Sequence, residues 1–282
     1  MWHALFMSSI LFTFAYLFKK ITDREPNKIK YQFYFISFYV SCYMLALVMW
    51  PLFLFSPKNV RNCKWAAKIL KHVTKIMNLK WELRNGEILA EERGAVVVSN
   101  HQYTLDVLGM FNIWDVADRI SAIAKKELFY VWPFGLSAYL AGVVFIDRYD
   151  PKEAYKQLQV TSEVMTKNKT KIWIFPEGTR NKNFTKFLPF KKGAFNIAVS
   201  AQVPVIPVVY SPYYFINPKK HIFNKGHVIM QCLEPIPTKG LTMEDVPILI
   251  QKVYEKMTAA YKELSKEVLS DLPPDYAYSP VG

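Results

Sequence analysis

Apolar and polar positions divide the chain into two unlike stretches. Residues 2–18 contain no Lys, Arg, Asp or Glu, and residues 31–55 form a second, longer run of the same kind. As helices they would reach about 26 and 38 Å, against a hydrocarbon core of about 30 Å. The first run has no basic leader and no small-x-small cleavage site, and the second follows at once, so a cleaved signal is a poor reading. Residues 1–57 are therefore predicted to be N-terminal membrane-embedded helices. Lys19, Lys20, Arg24, Lys28 and Lys30 crowd the link between the runs, and the segment after the second run is equally basic. Two full crossings would put these segments on opposite faces, against the positive-inside rule. A hairpin or re-entrant pair removes the conflict, and Pro51 favours a break in the second helix.

Residues 58–78 repeat a different pattern. Ala66, Ile69, Leu70, Val73, Ile76 and Met77 recur at three- and four-residue spacing, and Lys64, Lys68, Lys71 and Lys75 recur on another face. This predicts an amphipathic helix, lying either at the headgroup boundary of an anionic leaflet or against the domain that follows.

From residue 80 onward, short apolar runs end in polar clusters. Residues 95–98 lead into Ser99-Asn100-His101-Gln102, 120–124 into Lys125-Lys126-Glu127, and 143–146 into Asp147-Arg148. Residues 172–175 lead into Pro176-Glu177-Gly178-Thr179-Arg180, and 203–209, interrupted by Pro204 and Pro207, into Tyr210-Ser211-Pro212. Helical patterns at 152–167 and 192–201 lie between them. Strands alternating with helices predict an α/β domain over 58–282, with a mainly parallel central sheet flanked by helices. Ligands gather beyond the carboxyl ends of such strands, where each of these clusters falls. Residues 128–146 carry no formal charge, but Pro133, Gly135 and Gly142 interrupt them, so a third crossing is not expected.

Composition narrows the function classes. In 282 residues, 51% apolar and 16% aromatic content exclude a disordered chain, and ten glycines exclude a collagen-like one. The balance of 36 Lys+Arg to 23 Asp+Glu gives +13, which suits nucleic acid, an anionic bilayer or a phosphorylated substrate. Three cysteines without a C-x-x-C pair point to neither a disulfide scaffold nor a thiolate zinc site.

Two clusters can carry chemistry. His101 and Asp106 form H-x-x-x-x-D at the end of a predicted strand; an imidazole is the natural base near neutral pH, and a carboxylate fixes its tautomer. That spacing alone is weak, and a packed histidine with a helix-capping aspartate would give it too. In Pro176-Glu177-Gly178-Thr179-Arg180, a turn exposes backbone N–H groups, Thr179 adds a hydroxyl, and Arg180 offers a fork for phosphate. A plain turn is the competing reading. Lys125 and Arg148 are cations at two more strand ends. No G-x-S-x-G, G-x-x-x-x-G-K-[ST] or G-x-G-x-x-G occurs, which counts against serine-hydrolase, nucleoside-triphosphate and dinucleotide chemistry. His221 and His227 lack a third ligand nearby, so no metal site is expected.

Taken together, these residues resemble a family. Asn100 to Asp106, Gly142 to Arg148, Phe175 to Arg180 and Val203 to Pro207 look like the four ordered blocks of the glycerophospholipid acyltransferases. Leu188 to Phe195, continuing through Ala201-Gln202-Val203-Pro204, is most similar to the 1-acylglycerol-3-phosphate acyltransferase branch. The likeness covers about residues 60–260, and departs at Tyr103-Thr104, where close relatives tend to have smaller residues. It implies transfer of an acyl group from acyl-CoA, a co-substrate, to the sn-2 hydroxyl of lysophosphatidic acid, giving phosphatidic acid and CoA without a cofactor. By the resemblance His101 and Asp106 (HxxxxD) are catalytic. Glu177, Gly178, Thr179 and Arg180 (EGTR) bind the glycerol phosphate, Arg148 contacts it, and Lys125, or Lys126 beside it, is a second contact. It also implies the endoplasmic reticulum membrane, with the catalytic domain facing the cytosol and the sequons at Asn168 and Asn183 unmodified. The rivals are an acyltransferase for glycerol-3-phosphate or another lysophospholipid, and a non-catalytic membrane-shaping protein. A nucleic-acid binder would leave the apolar runs unexplained.

Overall fold

A computed structural model describes residues 2–23, 25–147, 161–163, 165–181, 185–270 and 272. The chain opens with α1 (Trp2–Thr22), α2 (Lys28–Phe53) and α3 (Asn62–Ile76). It continues through β1 (Leu79–Arg84), α4 (Glu87–Ala90), β2 (Ala95–Ser99), α5 (Asp106–Ala117) and β3 (Ile120–Lys125). A 3₁₀ turn (Lys126–Tyr130), α6 (Phe134–Leu140), β4 (Val144–Ile146), β5 (Lys171–Ile174) and α7 (Gly193–Ser200) follow. The last part holds β6 (Val205–Tyr210), β7 (Ile216–Asn217), β8 (Ile222–Phe223), β9 (Gly226–Cys232), a 3₁₀ turn (Met243–Asp245) and α8 (Val246–Ser270).

One seven-stranded sheet runs in the order β1-β9-β6-β2-β5-β3-β4. From β6 to β4 every neighbouring pair is parallel; β9 joins β6 antiparallel and carries β1 parallel to itself. The mainly parallel sheet matches the α/β expectation, with an opposed edge of two strands added. Every residue of β2 and β6 is buried, as continuous apolar strands require when both faces are covered. Helices α3 and α5 pack on each other and on β1, while α7 and α8 pack on β2, β6 and β9. Along α8 the buried positions Val246, Leu249, Val253, Met257, Tyr261, Leu264 and Val268 keep three- and four-residue spacing, one helical face laid on the sheet.

The apolar run at 128–146 breaks into a turn, α6 and β4 rather than a spanning helix. Most of the helix expected over 152–167 lies outside the described residues; 161–163 and 165–168 are helical. On α3, Cys63, Ala67, Leu70 and Val73 face inward while Ile69 and Ile76 are exposed. Two of its four lysines are paired: Lys64 with Asp118 and Lys71 with Asp115.

Helix α2 is long and apolar enough to cross a membrane, yet it lies lengthwise on the α/β body. Tyr34 stacks on Phe223 at 4.5 Å, the Tyr39 hydroxyl lies 3.4 Å from Thr104 Oγ1, and Tyr43 meets the ring of Trp132. At the start of α3, Asn62 donates to the Leu140 carbonyl at 3.1 Å. The other faces of α2, most of α1, and the turn bearing Tyr130, Val131 and Trp132 leave a broad apolar surface exposed.

Candidate functional site

The site forms where β2 and β5, adjacent and parallel, release the chain. Past β2, alternate residues bond to opposite sides. Asn100 donates from Nδ2 to the Tyr210 carbonyl at 3.0 Å and accepts the Tyr210 N–H at 2.8 Å. Gln102 repeats this with the Ser211 carbonyl (2.9 Å) and the Tyr213 N–H (3.1 Å). These buried amides prolong the β2–β6 ladder with side chains. His101, between them, turns its backbone toward β5: its N–H donates to Glu177 Oε1 at 2.8 Å, and its carbonyl accepts the Asn181 N–H at 2.7 Å.

The His101 ring therefore projects from a segment pinned on both sides. Its Nδ1 lies 2.6 Å from Asp106 Oδ2, and Phe175 stacks on the ring with centroids 4.0 Å apart and planes 15° from parallel. The histidine side chain keeps 22% exposure while that of Asp106 has none. Asp106 opens α5 and also accepts the N–H groups of Gln102 (2.7 Å) and Tyr103 (3.1 Å), so three donors meet a carboxyl group that would be costly to bury alone. With Nδ1–H directed at Asp106, Nε2 is left as the proton acceptor.

Past β5 the second cluster wraps against the first. Glu177 is buried, and its two oxygens accept the N–H groups of His101 and Leu188, the latter at 2.9 Å. Burial pushes its carboxyl above the usual glutamate range, and the two N–H bonds pull it partly back. The resemblance assigns Glu177 to phosphate binding; its geometry assigns it to holding the two turns together. Gly178 sits at φ +70°, and a Cβ there would lie 3.0 Å from the stem and ammonium of Lys191, a conformation and a closeness that both favour glycine. Thr179 and Arg180 are exposed, and Arg180 Nη1 donates to Thr104 Oγ1 at 2.6 Å. Arg180 has no carboxylate partner among the described residues.

Lys125 ends β3, beside β5 in the sheet, and is exposed without an ion pair among the described residues. Lys126 instead bonds Asp147 at 3.1 Å, which leaves Lys125 as the freer of the two. Arg148 lies outside the described residues. The structure thus joins Asp106 and Glu177 through His101 by direct hydrogen bonds, and ties Arg180 through Thr104 to the segment between His101 and Asp106, with Lys125 on the next strand. Sequence reading quoted Asn100, Gln102, Phe175 and Lys191 only as parts of motifs and gave them no task. Their signal was adjacency: each flanks a residue that was singled out, or closes the loop back to it.

The profile of the family described as Acyltransferase matches residues 80–211, a span holding both clusters. The chain is 42% identical over 210 residues to 1-acyl-sn-glycerol-3-phosphate acyltransferase beta of Homo sapiens, covering 74% of this chain and 73% of that one. It is 38% identical over 224 residues to the alpha protein of the same species, covering 79% and 78%. Among solved structures, the 1-acyl-sn-glycerophosphate (LPA) acyltransferase PlsC of Thermotoga maritima superposes with a TM-score of 0.65. That match spans 83% of this chain and 94% of that one at 23% identity, a likeness of fold.

Proposed function

Since the chain belongs to the acyltransferase family, with 1-acyl-sn-glycerol-3-phosphate acyltransferases among its relatives, we propose that it acylates the sn-2 hydroxyl of lysophosphatidic acid from acyl-CoA, giving phosphatidic acid and CoA. The observation that carries this reading is the His101–Asp106 pair, bonded through shared partners to the turn that bears Arg180.

His101 Nε2 takes the proton from the acceptor hydroxyl as its oxygen attacks the thioester carbonyl. Asp106 steadies the imidazolium that forms, and Phe175 keeps the ring in plane. When the tetrahedral adduct collapses, the C–S bond breaks and the imidazolium returns the proton to the departing thiolate. A thioester is already activated, so the reaction as written asks for no cofactor. General-base assistance of this kind contributes about 10²–10⁴ in rate. Arg180, with Lys125 from the neighbouring strand, grips the phosphate, while Gly178 lets the turn approach it closely.

The same reading puts the protein on a membrane, with residues 1–57 as its embedded part. The lengthwise contacts of α2 support embedding in the plane of one leaflet rather than two crossings, because a helix standing upright in the bilayer would draw the body in with it. This relieves the charge conflict, since both basic segments then face the same water. The endoplasmic reticulum and a cytosolic catalytic face complete the proposal.

The test is turnover of lysophosphatidic acid with a panel of acyl-CoA lengths by the full chain and by His101→Ala. Loss of at least about a hundredfold in kcat is expected for the variant, with unchanged thermal unfolding. Near-normal turnover by His101→Ala would remove the imidazole as base.

A further inference from the structure

The residue facing Arg180 is Thr104, in the segment between His101 and Asp106, and catalysis as described above gives it no task. Its Oγ1 accepts from Arg180 Nη1 at 2.6 Å, and the Tyr39 hydroxyl of α2 lies 3.4 Å from the same oxygen. Arg180 finds no carboxylate among the described residues, and none of them cancels its charge. An arginine has five N–H donors; one bonded to a neutral hydroxyl leaves the others for an anion. We infer that Thr104 is a positioning residue that sets specificity for a phosphomonoester acceptor, by holding the Arg180 guanidinium at a fixed offset from the His101 imidazole.

This rests on the acyl-transfer reading above and deepens it. In the acceptor, the reacting hydroxyl and the phosphate sit on adjacent carbons, so base and cation must be held within a few bonds of each other. Arg180 arrives on the turn after β5, and Thr104 belongs to the short segment that carries the base. The bond between them ties the two reach distances together. A long side chain such as arginine otherwise samples many rotamers, and ordering it on substrate binding would weaken affinity. The hydroxyl does that ordering beforehand, while a carboxylate in its place would hold the arginine but cancel its charge.

Thr104→Val keeps the shape and removes the acceptor oxygen; Thr104→Ser keeps the oxygen. With the full chain in phospholipid vesicles, Thr104→Val is expected to raise the KM for lysophosphatidic acid about tenfold. Its kcat should fall no more than about twofold, with the acyl-CoA KM moving as little, and Thr104→Ser should restore the acceptor KM. Adding Thr104→Val to Arg180→Ala should raise the KM no further, since the two act through one contact. An unchanged acceptor KM in Thr104→Val, equal shifts for both substrates, or additivity with Arg180→Ala overturns the positioning role while the acyl-transfer reading stands. A parent chain that does not turn over lysophosphatidic acid overturns both.

Discussion

At the scale of single residues, the site is a set of backbone bonds made by side chains. Glu177 ties two turns together, Asp106 builds the turn that places it next to His101, and Gly178 leaves room for Lys191. Gly178→Ala puts a Cβ into a left-handed conformation against the Lys191 stem, and should cost about 1–2 kcal/mol of stability and weaken acceptor binding. Gly193→Ala, where a Cβ meets nothing within 4 Å, is the control and should be near neutral. Thermal melts and acceptor titrations of both variants would check this. His101, Asp106 and Arg180 were legible because their motifs fall in the order of a known family, whereas the H-x-x-x-x-D spacing or the turn alone would have been weak. The inward aim of Glu177 was not, because a carboxylate beside an arginine reads equally well as a ligand or as a brace until its partners are seen.

At the scale of elements, β2, β3 and β5 were legible as apolar runs stopped by polar clusters, whereas β1 and β9 passed unremarked. Lys80, Glu82 and Arg84 alternate with apolar residues along β1, as suits an edge strand with one wet side. Those charges make the clasp to α8: Arg84 reaches Glu267 at 2.8 and 2.6 Å and Glu82 at 2.8 Å, and His227 reaches Glu82 at 3.0 Å. Hydrogen bonds from Arg84 hold the carboxyls of Glu82 and Glu267 below the usual glutamate range. The unfolded chain therefore takes up protons first as pH falls. The clasp contributes fully above about pH 4.3 and loses its contribution as pH drops through the folded pKa values. Melting temperature should decline over that acid range, less steeply in Glu267→Gln. At neutral pH that variant should lose at most about 1 kcal/mol, since solvent screens the pair.

At the scale of the whole molecule, a net charge of +13 and a broad apolar surface both offer a grip on a bilayer. The apolar surface should dominate: Trp2, Phe12, Phe55 and Tyr130 are all more than 70% exposed, and α3 has committed Lys64 and Lys71 to aspartates. The full chain should therefore stay on neutral phosphatidylcholine vesicles in about 1 M salt, where charges are screened beyond about 3 Å. Release by salt in a flotation assay would instead make anionic lipid the anchor. The sequence made the apolar runs plain but left their topology open, because hydropathy records how much of a helix shuns water and not which way it lies.

The lengthwise seating of α2 has a kinetic corollary. On the proposed in-plane anchoring, the enzyme would meet acceptor, and part with product, by sideways traffic within a single sheet of lipid. Its throughput then follows how crowded that sheet is with acceptor rather than how many moles the tube contains. Padding the sheet with inert lipid would slow turnover even though nothing had been removed.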